Sequence, residues 1–280
     1  MTHLPHIPLK TPVKLLSGHK LVACIANTSS NTTLNKLICT MSSSAKILLI
    51  LGAGKNIGHG VANKFRSAGY RVALVSRSAE DRKTNSDGDL TLKADLSSPS
   101  SVPAIFGAVK ELLGGPPNVV VYNAATLTPP TDLQNPFTVP LESFEQNLSV
   151  LNTSAYVAAR ESVAGFEAIS ADIPRAFIYT GNGLAGATAP VPLLVALGTG
   201  KSAASYWIGS ASGFYKEKGY KFYYADERNS EGGGVPLDKL SGVGAGEFYW
   251  ELAEKKQDIP WFATFVAGKG YVHFPNSSRT

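Results

Sequence analysis

The chain has 280 residues, 44% hydrophobic and 17% charged, which is enough apolar material for one large α/β domain or two small ones. Its net charge of +5 comes almost entirely from residues 1–40, which hold Lys10, Lys14, Lys20 and Lys36 and no acid; no basic face for nucleic acid is expected on the rest. Cys24 and Cys39 lie in the same segment, so the remainder has no disulfide and no cysteine nucleophile, and no apolar run reaches the roughly 18 residues of a membrane span.

Residues 1–41 are rich in Ser, Thr, Asn and Pro and show no sustained period. Acid-poor, Ser/Thr-rich composition is shared with organelle transit peptides, which would make the protein mitochondrial, but the segment has no arginine. Met41 opens "MSSSAKILLILGAG", an ordinary cytosolic start. The expectation is a disordered or mis-assigned extension over 1–41 and a cytoplasmic protein over 42–280.

From Ala45 onward, short apolar runs alternate with helical patterns. "KILLIL" (46–51), "YRVALVS" (70–76), "GDLTLKADL" (88–96), "NVVVYNAA" (118–125), "RAFIYTGN" (175–182), "YKFYYADER" (220–228) and "WFATFV" (261–266) read as strands. Between them, residues 57–68, 101–114, 141–169, 191–217 and 244–256 read as helices. Near-continuous apolar strands separated by helices predict right-handed βαβ units, hence a single-domain α/β protein with a doubly wound parallel sheet, a Rossmann fold.

"LGAGKNIGHG" (51–60) falls between the first strand and the first helix, the context that a dinucleotide site requires. Gly52 permits the tight turn, Gly54 lets backbone approach a pyrophosphate, and Gly58 allows close helix–strand packing; Lys55, Asn56 and Ile57 complete the loop. The second strand ends Ser76-Arg77, with no carboxylate to hold a ribose 2′-hydroxyl. Arg77, with Lys55, favours NADP(H) over NAD(H). Arg82 and Lys83 read as a solvated face.

These residues, with "ADL" (94–96), "YNAA" (122–125) and the Lys201-Ser202-Ala203 run, give the chain a resemblance to the short-chain dehydrogenase/reductases over about residues 45–270. A third glycine of that family's loop is replaced here by Asn56. The resemblance implies that Asp95 and Leu96 flank an adenine and that Asn123, Ala124 and Ala125 steady the central strand beside the cofactor. It also implies a homo-oligomer formed through long helices, and a small carbonyl or alcohol as substrate.

The family's active site is Tyr-x-x-x-Lys on a long helix, preceded by a Ser at a strand end. Lys201 fits the lysine, which would bind the nicotinamide ribose, but four residues earlier stands Leu197, which has no proton to give. The strand end offers Tyr179, Thr180 and Asn182 but no serine, and the helix asparagine is Asn152 or Asn147. "GTGKS" (198–202) is not a phosphate loop, because the first glycine of G-x-x-x-x-G-K-[ST] would stand at Val195. "GSASG" (209–213) has Ala211 where a serine hydrolase needs its nucleophile, and the histidines, three of them in the extension, show no metal-ligand spacing.

Two readings follow. In one the protein is an NADP(H)-dependent oxidoreductase with a non-standard proton donor, drawn from Thr180, Tyr179, Lys201 through a water, or Tyr223 and Tyr224. Asp226, Glu227 and Arg228 would then line a charged substrate pocket. In the other it binds NADP(H) without hydride chemistry, as a redox sensor or partner-binding module.

Overall fold

Ile47–Leu51, Val119–Tyr122 and Ala176–Thr180 carry almost no polar side chains because helices cover both faces of the sheet they build. The computed structural model describes residues 46–186, 190–255 and 258–275; residues 1–41, expected to be an extension, lie outside them. The elements run β1 (Ile47–Leu51), α1 (Ile57–Ser67), β2 (Arg71–Ser76), β3 (Lys83–Thr84), β4 (Leu90–Lys93), α2 (Val102–Leu112) and β5 (Val119–Tyr122). They continue with α3 (Leu141–Leu148), α4 (Ser154–Phe166), β6 (Ala176–Thr180), α5 (Val195–Phe214), β7 (Lys221–Glu227), α6 (Gly242–Glu254), β8 (Phe262–Val266) and β9 (Gly270–Tyr271).

The sheet order is β3-β4-β2-β1-β5-β6-β7-β8-β9. Seven strands are parallel, and β3 and β9 add antiparallel edges that the sequence reading did not contain. β3 is too short to leave a period, and it begins beside Arg82, which sits at φ 52° and pairs with Glu111. Strand order reverses between β1 and β5, and ligands of such sheets bind at that switch point, outside the carboxyl ends of the strands.

Side chains alternate between two cores. One face of the sheet, with Leu51, Tyr122, Tyr179, Tyr224 and Phe262, packs against α2, α4 and α5. The other, with Ile50, Val121, Ile178, Tyr223 and Ala225, packs against α1 and α6. This placement corrects the expectation of uniformly right-handed units. β6–α5–β7 and β7–α6–β8 extend the sheet in the same direction with their helices on opposite faces, so the second has the opposite hand. Glycines account for where α6 goes: a Cβ on Gly246 would lie 2.5 Å from the Gly60 carbonyl oxygen, so α1 and α6 cross backbone to backbone.

The segment read as one helix over 141–169 is broken by a π-turn at Ser149–Thr153. The segment read as one helix over 191–217 opens with a 3₁₀ turn at Pro192–Leu194 and is α-helical only over Val195–Phe214. Among the described residues no helix is long and apolar enough to cross a membrane.

Candidate active site

The glycine loop is pinned at the carboxyl ends of three strands. Gly52 and Ala53 N–H both donate to the Val75 carbonyl of β2, at 3.0 and 2.9 Å. Asn123 donates from Nδ2 to the Gly52 carbonyl at 2.8 Å and from its backbone N–H to Leu51 at 2.8 Å, fastening β5 to the loop. Gly52 has φ +88°, and a Cβ there would meet the Ala124 nitrogen at 2.5 Å, so both conformation and contact demand glycine. A Cβ on Gly58 would lie 2.9 Å from the Ala53 Cα, which is the close helix–loop packing that its spacing suggests. At Gly54 a Cβ would meet nothing within 4 Å; the loop is open on that side.

Lys55 and Arg77 are exposed on this rim, Ser76 is half-buried, and no ion pair holds either cation among the described residues. Asp95 is exposed beside them; the Ser97 backbone N–H lowers its carboxyl pKa, with a smaller contribution from the Arg77 charge. Leu96 is buried beneath, and its carbonyl accepts from Ser154 Oγ at 2.7 Å. Ala124 is half-buried and Ala125 exposed at the end of β5, and Ile57 is half-buried in the first turn of α1. The open loop and the helix N-terminus behind it fit the pyrophosphate of a dinucleotide.

Asn56 turns away from this rim. Its Oδ1 accepts from Gly242 N–H and its Nδ2 donates to the Leu240 carbonyl, both at 2.9 Å, so the residue that replaces a glycine ties the loop to the start of α6.

The second half of the site lies at the ends of β6 and β7. Register aligns Tyr122, Tyr179, Tyr224 and Phe262 across four neighbouring strands. Their rings stack with centroids 5.6, 5.6 and 4.9 Å apart. Every hydroxyl in the ladder is committed: Tyr122 donates to the Val150 carbonyl at 2.6 Å, Tyr179 to Leu151 at 2.7 Å, and Tyr224 to Asn182 at 3.0 Å. Val150 and Leu151 belong to the π-turn, where the α-helical hydrogen-bond pattern is interrupted. Burial raises the pKa of all three phenols well above that of a free tyrosine. Tyr179 is therefore placed as a structural hydrogen-bond donor, and Tyr223 points to the opposite face from Tyr224.

Lys201 enters from α5 and is 4% exposed. Its Nζ donates to the Thr180 carbonyl at 2.7 Å and lies 4.5 Å from the centre of the Tyr179 ring. Burial lowers its pKa to about 7, against an opposing pull from Asp226. The Thr180 hydroxyl faces α6 and accepts from Tyr249 at 3.1 Å, a partner that nothing in the sequence signals. Leu197 is half-buried in the first turn of α5. Gly200, one residue before Lys201, is more than a small residue: a Cβ there would lie 2.5 Å from Leu151 Cβ, so it sets how closely α5 approaches the π-turn. Asn152 is not brought to the lysine, since its Oδ1 accepts from Trp207 Nε1 at 3.0 Å. Asn147 is buried and donates to Thr128 and Ser143.

The charged wall expected from Asp226, Glu227 and Arg228 does not form. Asp226 and Arg228 are 0% and 2% exposed and pair with each other, Nε to Oδ2 at 2.7 Å, while Arg228 also donates to the Gly232 carbonyl. Glu227 accepts from the Ser241 backbone N–H at 3.1 Å. Strand alternation puts Asp226 on the α5 side, and an unpaired carboxylate would not stay buried there without its arginine.

The family model for short chain dehydrogenase matches residues 46–172. A short chain dehydrogenase/reductase of Cryptosporiopsis sp. is 41% identical over 245 residues, covering 83% of this chain and 96% of that one. Among solved structures, a metagenomic short-chain oxidoreductase in complex with NADP has a TM-score of 0.63 at 18% identity, over 80% of this chain and 98% of its own. An oxidoreductase of the same family from Brucella ovis, in complex with a partially ordered NAD, has a TM-score of 0.64 at 18% identity, over 80% of this chain and 100% of its own. The match over nearly the whole of a 41%-identical relative, together with the shared fold, makes this chain a member of the short-chain dehydrogenase/reductase family of oxidoreductases.

Proposed function

We propose that the protein is an NADP(H)-dependent reductase or dehydrogenase of a small carbonyl or alcohol compound, with Lys201 at its centre. The observation that carries this reading is the burial of a lysine at the carboxyl end of β6, beside the switch point where the glycine loop opens. Burying an ammonium is costly, and such a group is kept where its charge or proton is used. A bound nicotinamide supplies hydride. The chain's own residues then hold and orient: Gly52, Gly54, Ile57, Gly58 and the start of α1 receive the pyrophosphate, Arg77 and Lys55 the 2′-phosphate, Asp95 and Leu96 the adenine, and Asn123 keeps β5 locked to the loop. Lys201, anchored on the Thr180 carbonyl, holds the nicotinamide ribose.

A second reading, a cofactor-binding protein without turnover, is favoured by Leu197 and by the commitment of the Tyr122, Tyr179 and Tyr224 hydroxyls to backbone carbonyls. Titration of the purified protein with NADPH and NADH by nicotinamide fluorescence, then a panel of aldehydes and ketones with Lys201→Ala as control, separates the two. Turnover abolished by Lys201→Ala supports the enzyme; tight NADPH binding with no turnover on any compound supports the binding protein. Failure to bind either nucleotide overturns both.

A further inference from the structure

On the reductase reading, we propose that Lys201 itself delivers the proton to the substrate oxygen and that Asp226 is its positioning residue, the buried counter-charge that keeps the ammonium loaded. The tyrosine ladder spends its protons on Val150, Leu151 and Asn182, and Tyr249 spends its own on the Thr180 hydroxyl, which lies on the α6 side of the sheet, opposite the face from which Lys201 enters. Leu197, one turn before Lys201 on the same face of α5, has none. An ammonium carries three N–H donors, and one of Lys201's is taken by the Thr180 carbonyl.

Asp226 is built to be a partner. Its Oδ2 takes both Arg228 contacts, Nε at 2.7 Å and the ion pair at 2.6 Å, while its Oδ1 is fully buried with no hydrogen bond. A buried orphan carboxylate oxygen is costly unless another cation shares it. Thr180, which holds the Lys201 Nζ, pairs in register with Ala225, the residue before Asp226. Lys201 and Asp226 each feel the other's charge, in the direction that favours the ionised form of both. The described charged residues that are buried are Asp89, Lys201, Asp226 and Arg228, and Asp89 is held at the far end of the sheet by Arg66. Facing Lys201, then, are Asp226 from β7 and the neutral phenol of Tyr179; Arg228, Tyr224, Glu227 and Tyr249 surround Asp226 in turn, and the π-turn and the buried face of α3 bring no acid or base. Arg228 takes the contacts to Asp226 Oδ2, and Lys201 feels the same carboxylate through space; burial outweighs that pull and leaves Lys201 ready to give its proton near neutral pH.

In the step, hydride from reduced nicotinamide forms the new C–H bond at the carbonyl carbon. An N–H bond of the Lys201 ammonium breaks, directly or through one water, and the O–H bond of the alcohol forms. Neutral Lys201 is recharged from solvent.

The test reads Lys201 directly. The full chain labelled with ¹³C-lysine is titrated by NMR, with Lys201→Arg to assign the signal, in the wild type and in Asp226→Asn. We expect a wild-type midpoint near 7, a fall of about one pH unit or more in Asp226→Asn, and recovery toward wild type in Asp226→Glu. The high-pH limb of kcat/KM for carbonyl reduction should move by the same amount. If Asp226→Asn does not fold because Arg228 is left unpaired, Asp226→Asn/Arg228→Gln is read against Arg228→Gln. An unmoved Lys201 midpoint overturns the pairing, and a moved midpoint with an unmoved rate limb overturns proton delivery. A wild type that binds no nicotinamide nucleotide overturns the reductase reading and proton delivery with it, while the titration still decides the pairing.

Discussion

Replacing Lys201 with methionine should make the protein more stable while abolishing its function. The fold pulls the Lys201 pKa from 10.5 to about 7, mainly because the ammonium is stripped of water. At about 1.4 kcal/mol per pH unit, holding the protonated lysine costs about 5 kcal/mol at pH 6, where folded and unfolded chains both carry the proton. Methionine has similar length and no charge. It leaves the Thr180 carbonyl without its donor, which returns about 1–3 kcal/mol. The expected net gain for Lys201→Met is therefore about 2–4 kcal/mol at pH 6. The pH dependence has a definite sign. Between about 7 and 10.5 the unfolded wild type binds one more proton than the folded, so wild-type stability rises with pH by about 1.4 kcal/mol per unit relative to the variant. The gap should close near about pH 9. Urea denaturation of both proteins at pH 6, 7, 8 and 9 measures it. A variant less stable than wild type at pH 6, or a gap that does not change with pH, would refute the assignment of Lys201 as a desolvated group.

Three further outcomes are expected. Arg77→Ala should weaken NADPH binding about tenfold, the equivalent of one charge-assisted contact, and leave NADH binding unchanged in the same fluorescence titration; equal loss for both nucleotides would remove Arg77 from the phosphate site. Tyr179→Phe keeps the ring stack but strands the Leu151 carbonyl, so thermal unfolding should show a loss of about 1–3 kcal/mol with turnover per folded molecule unchanged. A hundredfold loss of turnover in a stable Tyr179→Phe protein would make that hydroxyl the donor after all. Gly200→Ala drives a methyl into Leu151 and should cost about 1–3 kcal/mol, recovered in part by adding Leu151→Ala; an unchanged unfolding curve for Gly200→Ala would show that α5 can retreat.

The glycine loop of the candidate site was legible because its requirements are local. The turn at Gly52 and the packing of Gly58 are consequences of the spacing of Gly52, Gly54 and Gly58 after a buried strand, and the structure has both where the motif puts them. The reacting half was not legible. Lys201 bonds Thr180 at 21 residues and feels the charge of Asp226 at 25, and Thr180 bonds Tyr249 at 69; no periodicity reports such pairs. "FYYADER" is legible as a strand end carrying charges, and only its neighbours decide that Asp226 and Arg228 are buried against each other rather than lining a pocket. The same holds for Asn152, whose type fits a catalytic helix but whose partner is Trp207.

By itself the sequence determined the alternation of apolar strands with helices, the parallel sheet that this alternation forces, the glycine loop, the absence of a carboxylate after β2 and the loss of the tyrosine at Leu197. Those are properties of neighbouring residues, set by backbone sterics and by which face must avoid water. The tertiary structure decided which hydroxyls are spent, which face α6 covers, and that a lysine, an aspartate and an arginine share one buried space. The energy of a buried charge depends on every group that displaces its water, and those groups are assembled only when β6, β7 and α5 meet.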